Sequence, residues 1–169
     1  MELEIVQEKY WDKALPEIVK KNPNSFKNHY VYKNALNGSI ILGVQFYCVA
    51  NTKKKKLDAN TIASGLYIEI GKSVKNLETE KRKRINKKIY DLLRKEEMKE
   101  KIPDIVWNEN PNKMASSILL VKEIDYTNME NWQECIEFHA STSRLLYDVV
   151  FKPCRDEIAR FLNSMGLNM

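Results

Sequence analysis

The spacing of hydrophobic and polar residues changes along the chain, and each change marks a predicted element. Apolar residues at the start recur every three or four positions, which predicts a helix over about the first twenty residues, kinked or shortened by Pro16. Residues 21–37, rich in Asn and Lys, predict an irregular connector. The almost continuously apolar run 39–50 predicts a buried strand, with Gly38 and Gly43 as turn or bulge points.

The later pattern completes an alternation of helices and strands. It predicts, in chain order, an exposed hairpin connection at 51–60, a strand at 63–71, a helix at 73–101, strands at 104–107 and 116–124, and a last helix at 128–163. Pro153 should kink the last helix or split it. The order α-β-β-α-β-β-α predicts an α/β (α+β) fold in which a single-layer, mostly antiparallel sheet packs against long helices.

Composition limits the class of protein. With 169 residues, 43% hydrophobic and 30% charged, the chain is expected to fold as one domain over 1–169 and not to be disordered. No apolar run approaches the ~20 residues of a membrane span, so no membrane partner is expected. The acidic first residues do not resemble a secretion signal. Three cysteines without paired spacing indicate free thiols, a reducing compartment and hence the cytoplasm. No cofactor is predicted.

The formal charge of +5 is unevenly distributed along the sequence. Residues 81–101 contain ten basic and four acidic residues, a net charge of +6, and the rest of the chain sums to −1. We therefore expect the positive excess to belong to one helix.

A helical projection separates this charge from an apolar stripe. The stripe consists of Ile85, Ile89, Leu92 and Leu93. A cationic face of this kind can bind along a phosphate backbone by displacing condensed counterions. The predicted contacts on it are Arg84, Lys87, Lys88, Lys95, Lys83 and Arg94. The lysine run 53–56 would extend the footprint if it lies on the same side. The alternative is an ordinary solvated helix face.

Two patterns in the sequence resemble parts of catalytic or metal-binding sites. Asp104 ahead of a strand and Glu123 on the next one resemble part of a metal-dependent nuclease site, although Lys122 and Glu123 are adjacent and would face opposite sides. Cys135 and His139 share a helix face and would supply half of a metal site. For both patterns we favour a structural interpretation, and no metal site is predicted.

Ordered landmarks give the chain a resemblance to a known family. They are the aromatic pair 10–11, the strand 65–70, the charged helix with its apolar 92–93, the strand 105–107, the stretch 113–118 and the closing helix 131–153. Over roughly residues 9–155 the chain resembles the DUF4268 family, a domain of unknown function often found beside nuclease-like modules in restriction and defence proteins. Ser117 stands where the family frequently has Arg, so no cationic role is implied there.

The resemblance implies an α/β accessory domain and, by analogy, a part in nucleic-acid transactions. The leading hypothesis is therefore a non-catalytic nucleic-acid-binding or nuclease-associated domain, with DNA or another polyanion and a nuclease-like protein as partners. The alternative is a protein–protein interaction module or homodimer, in which the basic helix only keeps the protein in solution. A metal-dependent nuclease is the third.

Overall fold

The computed structural model describes residues 2–50, 60–72, 74, 76–109 and 115–167. Its α-helices are α1 (Leu3–Lys21), α2 (Thr79–Leu93), α3 (Met98–Lys101), α4 (Trp132–Leu145) and α5 (Arg155–Ser164). Its strands are β1 (Tyr30–Tyr32), β2 (Ala35–Ile41), β3 (Val44–Ala50), β4 (Thr61–Ile68), β5 (Val106–Asn108) and β6 (Ser116–Glu123). The predicted hairpin connection at 51–60 lies outside the described residues except for Asn60.

The strands form one antiparallel sheet in the order β1-β2-β3-β4-β6-β5. At one edge β1 pairs with β2, so that Tyr32 lies opposite Ala35. At the other edge β5 pairs with β6, so that Trp107 lies opposite Ile118. The predicted α+β class with an antiparallel sheet is confirmed.

The apolar run 39–50 is not one strand but parts of two. The chain reverses at Leu42 and Gly43, whose φ angles are +53° and +80°. Two consecutive residues with positive φ form the tight turn that matches the twist of a β-hairpin. Gly43 is one of the predicted turn or bulge points, but Leu is unusual in this conformation, so the apolar pattern does not show that the strand ends here. With β1 and the start of β2 falling in the predicted connector 21–37, the described chain has four strands before α2 where the pattern predicts two.

The predicted helix 73–101 is interrupted after Leu93. In an unbroken helix Met98 and Ile102 would project on the same side as the charged residues. Both are buried in the structure, with 1% and 5% of their surface exposed. Ending α2 and starting the short helix α3 allows these two apolar side chains to leave water.

The two helical prolines differ in effect. α1 continues through Pro16 to Lys21. Pro153 instead follows a π-helical turn, Leu146–Phe151, and lies in a 3-10 turn that leads into α5. Proline has no N–H to donate, and these non-α turns accommodate the missing hydrogen bond. Of the two predicted effects of Pro153, a kink or a split, the structure shows a split of the last helix into α4 and α5.

Contacts group the chain into two compact units. Unit 1 comprises Met1–Ser39, Phe46–Gly65 and Leu120–Arg144, and unit 2 comprises Ile40–Gln45, Leu66–Leu119 and Leu145–Met169. The core of unit 1 is rich in aromatic residues, whereas that of unit 2 is mainly aliphatic. A single domain over 1–169 stays a prediction. Among the described helices, none has the length and apolar composition needed to cross a membrane.

Candidate nucleic-acid interface

The basic helix α2 lies in unit 2 with one face buried. Ile85, Ile89 and Leu93 are fully buried, as the apolar stripe predicts. Leu92 is only half-buried, and Tyr90 is buried in its place. The buried face is therefore rotated about the helix axis relative to the predicted one. The exposed face, which carries the cations, is rotated by the same angle.

Two side chains that the apolar pattern misses fix this orientation. Asn86, which is buried, accepts a hydrogen bond from the backbone N–H of Ile70 at 2.7 Å through its Oδ1. The Tyr90 ring meets the Trp107 ring edge-on, with 6.1 Å between centroids. Since a buried amide has few alternative partners, these contacts determine which side of α2 faces water.

The predicted contact residues differ in exposure. Arg84, Lys87 and Lys88 are exposed on α2, and Lys83 is partly exposed. The remaining two predicted contacts, Arg94 and Lys95, follow the end of the helix. The helix thus carries four of the six predicted cations in a fixed arrangement.

Lys87 is held by two carboxylates. Its Nζ lies 3.3 Å from Asp91 one turn along the helix and 3.0 Å from Oε1 of Glu109. Hydrogen bonds to Glu109 and then Asp91 raise the pKa of Lys87 above its usual value. A phosphate would have to compete with both carboxylates for this ammonium group.

Lys95 and Lys83 also have acidic partners. The Lys95 ammonium lies 3.2 Å from Glu157 of α5, and the hydrogen bond between them raises the pKa of Lys95. Lys83 lies 3.7 Å from Glu80, one turn before it. These exposed or partly exposed pairs contribute little to stability, but each places a negative charge beside a predicted phosphate contact.

Arg94 is engaged by an aromatic ring. Its guanidinium carbon lies 5.8 Å from the centroid of the Trp107 ring. That distance is within the range of a cation–π interaction, which orients the side chain toward Trp107.

Three cations of α2 remain without an acidic partner. In the part of the chain that the structure describes, Lys81, Arg84 and Lys88 make no ion pair. They follow one another at i, i+3 and i+7, within a sector of about 60° of the helix. Lys81 was not among the predicted contacts, although this spacing is visible in the sequence. Lys53–Lys56, the predicted extension of the footprint, lie outside the described residues.

Among the described residues, the nuclease candidates Asp104 and Glu123 do not form part of a metal site. Asp104 is exposed ahead of β5, and Glu123 is exposed at the end of β6. Among the described residues, no group of three or more His, Cys, Asp or Glu side chains is placed to hold a metal ion.

His139 is a buried residue of the unit 1 core. Its Nε2 donates to the backbone carbonyl of Val49 at 3.3 Å, so its Nδ1 is free to accept from the Tyr10 hydroxyl at 2.8 Å. Burial lowers the pKa of His139 to about 4 and raises that of the Cys135 thiol to about 11. His139 is therefore neutral and has both ring nitrogens engaged, which agrees with the structural interpretation of this residue.

The comparisons with known proteins identify a family. The family model described as "Domain of unknown function (DUF4268)" matches residues 6–154. No curated protein and no solved structure shows a significant match. Because the matched region takes in every described strand and most of the helices, including α2, the chain belongs to the DUF4268 family.

Proposed function

We propose that this chain is a non-catalytic module that binds double-stranded nucleic acid through its backbone phosphates. The observation that carries the proposal is the stripe of Lys81, Arg84 and Lys88, which have no acidic partner among the described residues. The seven steps from Lys81 to Lys88 span about 10 Å of α-helix, a length of duplex axis that contains about three phosphates of one strand. Contacts of this kind position a protein on a duplex but read no sequence.

The paired cations have a secondary part in this proposal. Lys83, Lys87 and Lys95 already lie beside carboxylates, so transferring them to phosphates gains less than using an unpaired cation. Arg94 faces Trp107. The proposed footprint is therefore centred on Arg84 and Lys88 from the predicted set, with Lys81 added.

Two broader roles belong to the same proposal. As a DUF4268 member, the chain would act beside a nuclease-like partner in restriction or defence. It would do so in the cytoplasm, where the buried free thiols of Cys48, Cys135 and Cys154 would stay reduced.

Salt-dependent binding tests the proposal. Fluorescence anisotropy with a short labelled duplex, between about 50 and 200 mM salt, should give a slope of log K against log salt near −3, about −0.9 for each of three phosphates. The triple variant Lys81→Gln, Arg84→Gln, Lys88→Gln should lose most of this slope.

A matched triple variant distinguishes local contacts from net charge. Lys83→Gln, Lys87→Gln, Lys95→Gln removes the same formal charge but only cations that have acidic partners, so it should keep most of the slope. Equal losses in the two variants would contradict the proposed footprint. Absence of duplex binding at about 50 mM salt would contradict the function. If light scattering then showed a dimer, the protein-interaction alternative would be favoured.

A further inference from the structure

A second basic region of the sequence contains no acidic residue. Between Glu17 and Asp58 the sequence has no Asp or Glu but eight lysines, a formal charge of +8. Outside this region and residues 81–101, the chain sums to −9. The total of −1 for the rest of the chain therefore conceals a second concentration of positive charge. The positive charge is not confined to one helix. Four of the eight lysines, those at 20, 21, 27 and 33, are described and exposed.

Within this region, strand β1 presents aromatic rings to water. β1 is the first strand of the sheet order, so one of its sides is a sheet edge. Tyr30 is 53% exposed and Tyr32 is 63% exposed, although Tyr is a residue that folding usually buries at least in part. Alternate residues of a strand share a face and lie about 7 Å apart. The two rings therefore offer separate stacking surfaces on one face of the edge strand.

Buried contacts and hydrogen bonds hold the chain segment before β1 in place. Phe26 is fully buried, and a Cβ at Gly38 of β2 would overlap the Ser25 carbonyl oxygen and the Phe26 ring, so only glycine fits there. Ser39 donates its backbone N–H to that same Ser25 oxygen at 2.9 Å. The ring of His29 hydrogen-bonds to the Phe26 carbonyl at 2.8 Å. These contacts fix the approach to the exposed tyrosines.

The turn after β1 is anchored in the aromatic core of unit 1. Asn34 accepts a hydrogen bond from the Trp11 indole at 2.9 Å, and its amide donates to the Tyr126 hydroxyl at 3.1 Å and to the Ala50 carbonyl. Lys33, which precedes it, has a φ of +55° and places its ammonium group 5.5 Å from the centroid of the Tyr32 ring. A cation is thus held beside an exposed stacking surface.

We propose that this surface, defined by Lys27, His29, Tyr30, Tyr32 and Lys33 and called the edge platform, binds single-stranded nucleic acid. Unpaired bases stack on aromatic side chains while basic residues contact the phosphates between them, and the edge platform supplies both groups. An acidic peptide would use the charge but not the rings. A peptide added as a further strand would gain few hydrogen bonds, since β1 has three residues.

The edge platform does not depend on the duplex-binding function proposed for α2. It lies on different residues in the other unit, and its ligand presents bases that a duplex keeps stacked inside. The two proposals therefore predict different ligands for different variants, and either one can fail alone.

Anisotropy with labelled single strands tests the edge platform. The probes are oligothymidylate and oligouridylate of about 15 nucleotides, which separate DNA from RNA, and a duplex of the same length. In the full chain, Tyr32→Leu should weaken single-strand binding by about fivefold or more, because it removes a stacking ring. Tyr32→Phe keeps the ring and should stay within about twofold of the unchanged protein.

Lys33→Gly gives a variant whose loss of binding cannot come from unfolding. Glycine tolerates the positive φ at this position, so the thermal midpoint should be unchanged or higher. Single-strand binding should nevertheless weaken, with a salt slope shallower by about 0.7 for the lost phosphate contact. The α2 variant Lys81→Gln, Arg84→Gln, Lys88→Gln should leave single-strand binding within about twofold.

Three outcomes would overturn the proposal. The first is no binding of either oligonucleotide at about 50 mM salt. The second is an equal effect of Tyr32→Leu and Tyr32→Phe, which would show that the ring does not stack on bases. The third is polyglutamate competing as well as unlabelled oligothymidylate, which would assign the surface to acidic peptides.

Discussion

Two groups of polar contacts in this protein stand in opposite environments. In unit 1, Tyr10 and His139 share a hydrogen bond of 2.8 Å, and neither residue has any exposed surface. In unit 2, Lys87 of α2 shares its ammonium group between Asp91 and Glu109, and its side chain is 59% exposed. The first contact has no alternative partner, whereas water or a phosphate can replace either carboxylate in the second.

The difference explains what each group can do. A buried donor or acceptor that loses its partner costs about 1–3 kcal/mol, because water does not replace the partner. An exposed ion pair is screened and contributes little. The Tyr10–His139 contact therefore stabilises the fold of unit 1, whereas the carboxylates beside Lys87 compensate part of the charge of α2 and add little stability.

The largest expected effect is a loss of stability in mild acid. The pKa of His139 is lowered from 6.5 to about 4 by burial, so the unfolded chain takes up a proton before the folded chain does. Stability is full above pH 6.5 and falls as the pH falls toward 4, by about 3 kcal/mol over the window. Urea unfolding at about pH 7 and about pH 5 measures most of this change.

The variant His139→Gln isolates the contribution of His139 to the loss of stability in acid. It is less stable at neutral pH because it alters a buried residue, but it has no imidazole to protonate. Its stability should therefore change less between about pH 7 and about pH 5 than that of the unchanged protein. Equal changes in the two proteins would show that His139 does not carry the acid sensitivity.

The next effect in size comes from Tyr10→Phe. The ring keeps its edge-on contacts with Trp11 at 5.0 Å and with Trp132 at 5.6 Å, and only the hydroxyl is lost. Nδ1 of His139 is then a buried acceptor without its donor, which should lower the free energy of unfolding by about 2 kcal/mol. Urea unfolding measures it, and Tyr32→Phe at an exposed ring is the matched control. A loss no larger than that of the control would mean that the buried contact contributes nothing.

The sequence predicts these two regions to different extents. The apolar periods locate the fold class, α1, β4 and the buried Ile85–Ile89 side of α2. They place a turn or bulge point at Gly43 but do not end the strand at Leu42, because a leucine with positive φ leaves no mark in an apolar run. The apolar periods also miss the end of α2. The helix ends where it does because Met98, which lies beyond α2, has to be buried.

The site is harder to predict than the fold because charge compensation acts between distant positions. The cations of 81–101 are evident in the sequence, but Glu109 and Glu157 lie 22 and 62 residues from the lysines they bind. Likewise, an interpretation of His139 as a hydrogen-bonded helix residue cannot name Tyr10, which lies 129 residues away. Only the folded chain shows which charges are already compensated.

The smallest expected effect tests whether the carboxylates beside α2 limit duplex binding by its cations. Glu109→Gln removes one of the two acidic partners of Lys87 and leaves Asp91 in place. The urea midpoint should change little, because Lys87 is exposed and Glu109 partly exposed. Duplex binding should strengthen slightly, with a salt slope steeper by at most about 0.9, one additional phosphate contact. Anisotropy with the labelled duplex measures the slope.

A charge-matched variant separates the release of Lys87 from a general change in net charge. Glu130→Gln, at an exposed position ahead of α4, raises the formal charge by the same amount in unit 1. If a free Lys87 adds a phosphate contact, only Glu109→Gln steepens the slope, because counterion release counts local contacts. If both variants strengthen binding equally, the duplex responds to total charge, and the distinction between paired and unpaired cations on α2 does not govern binding.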